Sequence, residues 1–432
     1  MSGKRFWLIL GGLAAVVFTC NAAHSNQQII FFREYVPIAT NLLNGSGYSI
    51  LPHQPVLYPM WGYSLLTVLA LTTGYSLIFL GIFQAILSLV TIRAFYRLFR
   101  LEKKYWHIPL FIPFITLLSV RWPDAIVASM LVFALMFFVS SIQKSSNKYA
   151  FYSGCCLGLI CNFRSEYLGL LIILALVMTV SLLRRDIAQM KVTLITVLTS
   201  LFLLLPWAIY SYSIDKHVRV AATNGGGVFY ISLGQLPNNP WHITHSDSTA
   251  FTESHLNGID DPYSPRGDSL LTSEFVSDIE KFPASFTKKI AYNLLSTVYR
   301  GVYTGEFVNI TLDSAAREAF LGSITSGNIS QDISRLSEFR FVTIIVFAIQ
   351  QFIHIFFIPI FDLLILLTII YCWKYLRKSF LLKVVLIVLL YKFALVGLVQ
   401  YEPRHMNAIY LLVLGTALLY VQNRKGQTLT SG

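Results

Sequence analysis

The chain has 432 residues, 55% of them hydrophobic and only 12% charged, with a net charge of +12. That charge share is about half the usual ~25% and excludes an ordinary soluble protein. An excess of Lys and Arg in so apolar a chain is what cytoplasmic loops of membrane proteins carry, so it argues for a lipid bilayer as partner and against nucleic acid.

In chain order, residues 6–22 follow Lys4 and Arg5 and show no small-residue cleavage site, so they read as an uncleaved first span. Further spans read at 76–96, 106–121, 124–142, 149–163, 167–183, 191–210, 344–373, 378–400 and 405–422. The fold class is therefore an all-α polytopic membrane protein with about ten transmembrane helices. Residues 1–210 form an N-terminal membrane domain whose first external loop is 23–75. Residues 211–340 hold 14 of the 21 acidic residues and read as an external soluble insert. Residues 341–432 supply the C-terminal membrane helices. The five cysteines lie in or beside apolar runs and form neither a disulfide framework nor a zinc spacing.

Basic residues set the topology. Arg93, Arg97, Arg100, Lys103 and Lys104 share one loop, and further clusters occur at 144–148, 184–191, 374–378 and 424–425. Ten spans place all of them, and both termini, in the cytoplasm. This holds only if the apolar segment Val56–Gly74 does not cross, so it is predicted to be a juxtamembrane or re-entrant helix.

The first external loop opens with Arg33-Glu34-Tyr35. Apolar residues then fall at Tyr35, Ile38, Ala39 and Leu42, one face of a helix. Pro37 suits a first turn, so the helix is expected to start near residue 34 and stop at Gly45. It is too short to span and is expected to lie in the interface, with Glu34 and Asn41 on its polar side.

Four acids from separate segments fall at the external face: Glu34, Asp124, Glu166 and Glu402. Each has an arginine close in sequence: Arg33, Arg121, Arg164 and Arg404. The set predicts a charge-lined cavity that opens outward. Guanidinium groups fork onto phosphate oxygens, and a carboxylate beside them serves as a general base or holds a divalent metal. Asp362, inside an apolar run, is a functional candidate because a membrane carboxylate is costly. His242, His245 and Asp247 have a spacing open to both a metal site and plain surface roles. Gly225–Gly227 lacks the Lys-Ser/Thr of a phosphate loop and reads as a flexible turn.

Tyr35-x-x-x-Ala39-x-x-Leu42-Leu43-x-Gly45-x-Gly47-Tyr48, followed by Tyr58-Pro59, resembles the first external loop of GT-C glycosyltransferases. These are membrane enzymes that use polyprenyl-phosphate-linked sugars, and they include protein O-mannosyltransferases and aminoarabinose transferases. Phe163-Arg164-Ser165-Glu166-Tyr167, Leu205-Pro206-Trp207 and Glu402-Pro403-Arg404-His405 resemble later motifs of that family in the same order. One position departs from it: the family's usual acid falls where this chain has Phe31 and Phe32, with Glu34 one turn beyond.

The resemblance implies an inverting glycosyltransferase. It would move a sugar from a polyprenyl-phosphate donor to a glycan, lipid or protein acceptor. Arg404, His405 and Arg164 would hold the donor phosphate, and either Glu34 or Asp124 would take the acceptor proton. Glu166, Glu402, Tyr35 and Tyr58 would support the site, and Trp241, His242 and Tyr263 of the insert would contact the acceptor. No cofactor is demanded, and a divalent metal beside the carboxylates stays open. The expected location is a bacterial inner membrane, with the active site on the periplasmic side. A transporter or lipid flippase, or a non-catalytic scaffold of the same architecture, are the competing readings.

Overall fold

The computed structural model describes residues 3–22, 31–74, 76–119, 122–301, 341–376, 379–400 and 402–424. It is helical throughout, with no strand among these residues beyond a single bridge between Ser49 and Pro55. The helices are α1 (Gly3–Ala22), α2 (Val36–Leu43), α3 (Trp61–Thr72), α4 (Ser76–Leu98) and α5 (Ile112–Ser119). Then come α6 (Pro123–Lys144), α7 (Asn147–Phe163), α8 (Leu168–Leu183) and α9 (Ile187–Asp215). The insert contributes α10 (Gly225–Ser232), α11 (Asp247–Leu256), α12 (Pro265–Lys281) and α13 (Pro283–Arg300). The last three are α14 (Phe341–Tyr375), α15 (Phe380–Leu398) and α16 (Pro403–Arg424).

Among the described residues, seven helices are long and apolar enough to cross a membrane: those in α4, α6, α8, α9, α14, α15 and α16. Each of the ten expected spans contains a helix among its described residues. Three fall outside the seven: α1, the segment Tyr105–Ser119 with its two 3-10 turns, and the 17-residue α7. The ambiguous segment Val56–Gly74 holds only the 12-residue α3. At 1.5 Å per residue it is about 18 Å long, short of the ~30 Å hydrocarbon core. It packs beside α2 and α4, with Tyr63, Ser64 and Thr67 fully buried.

Small residues let α7 and α9 approach closely. A Cβ at Gly154 of α7 would stand 2.6 Å from the Thr196 carbonyl oxygen of α9. Hydroxyls bridge the same seam: Thr196 donates to the Ala150 carbonyl at 3.2 Å, and Ser200 to that of Gly154 at 3.0 Å. With lipid on the outside, such close backbone approach and interhelical hydrogen bonding supply what hydrophobic burial supplies in water.

The insert has its own apolar core of Tyr230, Ile231, Leu233, Ile243, Ala250 and Leu271. It is anchored through α13. The buried Lys289 ammonium donates to the Ser232 hydroxyl at 3.2 Å, to the Leu398 carbonyl at 2.7 Å and to that of Val399. Asn293 adds a bond to the Val396 carbonyl at 3.1 Å. These carbonyls end α15 and have no intrahelical partner, so the side chains of α13 cap it.

If segment 31–74 lies outside, as the basic residues predict, cysteines introduced in place of exposed Asn44 and Thr72 should both react with a membrane-impermeant maleimide added from outside. Protection of the Thr72→Cys protein alone would mean that α3 crosses after all.

Candidate functional site

Glu34 sits in a π-turn, Phe31–Tyr35, that leads directly into α2. Pro37 lacks the N–H that would bond back to the Arg33 carbonyl, and the turn ahead of it is the wide π form. The expected helix is therefore present, but it starts a turn early. Its C-cap is Asn44, followed by Gly45 at φ 76°. Asn41 does not share the polar side with Glu34. It is buried, and its amide donates to the carbonyls of Ser49 (2.8 Å) and Ile50 (3.1 Å), tying the loop back onto the helix.

Residues 44–60 are held against α9. The Tyr210 hydroxyl donates to the Tyr48 and Val56 carbonyls at 3.0 and 3.2 Å. The Tyr48 hydroxyl donates to the Pro59 carbonyl at 2.7 Å, and its ring meets Trp207 edge-on. This fixes Tyr58 beside the insert, where Thr223 bonds the Leu57 carbonyl through its N–H and the Tyr263 carbonyl through its hydroxyl. The Tyr58 and Tyr263 rings then lie 4.4 Å apart, and the Tyr263 hydroxyl donates to Asp247.

Glu34 faces this pair. Burial chiefly, and then the Asp247 carboxylate, push its pKa up to about 7, while Arg164 opposes the shift. Burial first, and Glu34 next, hold the Tyr58 hydroxyl above its ordinary range, so it stays a neutral donor. Burial and Asp247 do the same for Tyr263.

Behind Glu34 lie two ion pairs. Asp124, in the first turn of α6 and 3% exposed, receives a fork from Arg164: Nε at 3.0 Å and Nη2 at 2.6 and 2.7 Å. Glu166, two residues on, pairs instead with Lys392 of α15 at 2.6 Å. The Tyr391 hydroxyl beside it bonds the Glu166 backbone carbonyl. Tyr35 is buried against Tyr63, ring to ring at 4.8 Å.

Of the remaining expected site residues, Glu402 lies past the end of α15 and accepts from Gln400 at 3.0 Å. Arg404 and His405 fall in the first turn of α16, and their side chains lie outside the described residues. Arg121 is also outside them. Trp241 belongs to the insert's core: its indole N–H donates to the Asp278 carbonyl at 2.8 Å and its ring meets Phe282. His242 is exposed in a turn at φ 55°. His245 is engaged with the Ile231 carbonyl and Gln235. Among the described residues no group of three His, Cys, Asp or Glu side chains is placed to hold a metal ion. Gly225–Gly227 is not a flexible turn. It begins α10, where a side chain on Gly226 would collide with the Asp268 backbone, and the Gly226 N–H donates to the Asp268 carboxylate at 2.7 Å.

Sequence reasoning missed two site residues. Lys392 stands inside an apolar run, and the rule that singled out Asp362 applies equally to it. Asp247 was grouped with two histidines near it in sequence, whereas the fold turns it toward Tyr263 and Glu34.

Replacing Lys392 with Met removes the 2.6 Å ion pair that Glu166 makes where α8 meets α15. Lys392→Met should cost about 1–3 kcal/mol in thermal unfolding of the detergent-solubilised protein. Combining it with Glu166→Leu should recover part of that loss, because the second change removes the carboxylate whose ammonium partner is gone.

Searches against protein families, curated proteins and solved structures return no match.

Proposed function

We propose that the protein is a GT-C-type glycosyltransferase. It spans the membrane about ten times with both termini cytoplasmic, and it transfers a sugar from a polyprenyl-phosphate donor to an acceptor hydroxyl at the external face of a bacterial inner membrane. The observation that carries this reading is Glu34. Its carboxyl is half-buried, is pushed up to a pKa of about 7, and interacts electrostatically with Tyr58 and Tyr263 on the one hand and with Arg164 on the other. A general base works best when its pKa is near the operating pH.

In the proposed step the acceptor oxygen attacks the anomeric carbon from the face opposite the phosphate. Glu34 takes the hydroxyl proton. The carbon–oxygen bond to the phosphate breaks with inversion, and polyprenyl phosphate leaves carrying its electron pair. Arg164 meets the developing phosphate charge, with its guanidinium held in one orientation by Asp124. Asp124 is the weaker candidate for base, since both its oxygens accept from Arg164. Tyr58 and Tyr263 offer aromatic faces and hydroxyl donors for a sugar ring. Trp241, committed to the insert's core, plays no part.

A transporter is the second reading, and it draws on Asp362. Within the membrane helix α14, one of its carboxyl oxygens is buried without a hydrogen-bond partner among the described residues.

Three outcomes test the enzyme. Glu34→Gln should lower release of polyprenyl phosphate from the purified protein by about 10²-fold or more, with Asp124→Asn less severe. The wild-type kcat/KM should rise with pH up to about 7 and level off above it, because the base must be deprotonated. Stability should move the other way. The folded-state pKa lies above the ordinary 4.5, so stability is lost as pH rises from 4.5 through 7. Glu34→Gln should therefore raise the melting temperature at pH 8 and leave it unchanged at pH 4. Solute uptake into vesicles that Asp362→Asn abolishes, with no donor turned over, would favour the transporter instead.

A further inference from the structure

α8 and α15 run antiparallel and meet at one end, where Gly169 packs under the Tyr391 ring and Glu166 pairs with Lys392. Together with α6 and α7 they enclose a cavity of about 550 Å3 along the rest of their length. Its walls are apolar, with Leu135 and Phe138 of α6, Leu174 and Val177 of α8, and Val384 and Val388 of α15 prominent. Along α8 the lining runs from Leu170 to Arg184, about 21 Å at 1.5 Å per residue. One leaflet of a ~30 Å hydrocarbon core is about 15 Å deep, so a single acyl chain fits this length.

The end away from Glu166 is polar and carries two cations and one acid, a net positive charge. Arg184 and Lys383 line it, both exposed, and neither forms an ion pair among the described residues. Asp186, the acid beside them, is committed elsewhere: it caps α9 by accepting from the Gln189 N–H at 3.0 Å. Two cations at the mouth of a membrane-depth apolar slot complement a phosphodiester attached to a hydrocarbon chain. Free phosphate would use the mouth and leave the slot without a counterpart.

We propose that this cavity binds an anionic phospholipid of the cytoplasmic leaflet, with one acyl chain lying along α8 and its phosphate held between Arg184 and Lys383. The site stands at the opposite end of the bundle from Glu34 and does not depend on the transfer chemistry.

The test is native mass spectrometry of the full-length protein taken from bilayers containing equal phosphatidylglycerol and phosphatidylcholine. Wild type should retain phosphatidylglycerol preferentially. The Arg184→Gln/Lys383→Gln protein should lose that preference by about thirty-fold, as expected for two surface cations removed from an anionic-lipid site. Leu174→Trp, which fills the slot, should reduce retention of both lipids. The charge variants alter exposed residues only, so they decide the matter even where the filled variant folds poorly. Equal retention of the two lipids by wild type would overturn the proposal, as would unchanged preference in the charge variant. Complete displacement by added polyprenyl phosphate would also overturn it, by assigning the cavity to a different lipid.

Discussion

Charges at the end of a membrane bundle must be paired, and the pairing found here organises everything around it. Arg164 lies at the tip between α7 and α8, too close to the apolar phase to stand alone. It closes on Asp124 at the start of α6 through two nitrogens. With that partner taken, Glu166 is satisfied from a third direction by Lys392 of α15. Two ion pairs thus join α6, α8 and α15 at one level. Removing water from an ion pair costs free energy that only good geometry and further hydrogen bonds recover. The fork on Asp124 and the Tyr391 bond to the Glu166 carbonyl supply both.

On that floor the upper part of the site is built from backbone contacts. The loop 44–60 is fixed by Tyr210 and Tyr48, and Thr223 fastens the insert to the same loop. The insert is secured a second time at the end of α15 by Lys289 and Asn293. Burial drives the Lys289 ammonium's pKa down to about 7, which shows how much desolvation this anchor accepts in exchange for capping free carbonyls. Glu34 lies where these parts converge. Its raised pKa follows from that convergence: the insert removes water and brings Asp247 near, and Arg164, already neutralised by Asp124, offsets only part of the effect.

Much of the architecture was legible in the chain itself. Apolar run length found the seven helices that, among the described residues, are long and apolar enough to cross, because a buried backbone in lipid must satisfy its own hydrogen bonds and does so as a helix. The placement of basic residues required Val56–Gly74 not to cross, and the helix within it, α3, has only 12 residues. The period at Tyr35, Ile38 and Ala39 gave a helix with those residues buried. Less was legible at the site. Neighbours in sequence suggested that Arg164 serves Glu166 and grouped Asp247 with His242 and His245, whereas Arg164 forks onto Asp124 and Asp247 accepts from Tyr263.

The sequence by itself determined the helical class, the extent of the apolar segments and the presence of acids and arginines at one end of the bundle. These follow from local composition and period, which each segment carries alone. Only the tertiary structure decided which acid meets which base, that Lys392 joins the site, that Asn41 turns inward, and that Glu34 titrates near neutrality. Those outcomes depend on desolvation and on partners 40 to 226 residues apart, such as Arg164 with Asp124 and Lys392 with Glu166. A charge at a helix end pairs with whatever lies nearest in space, and no local pattern specifies that.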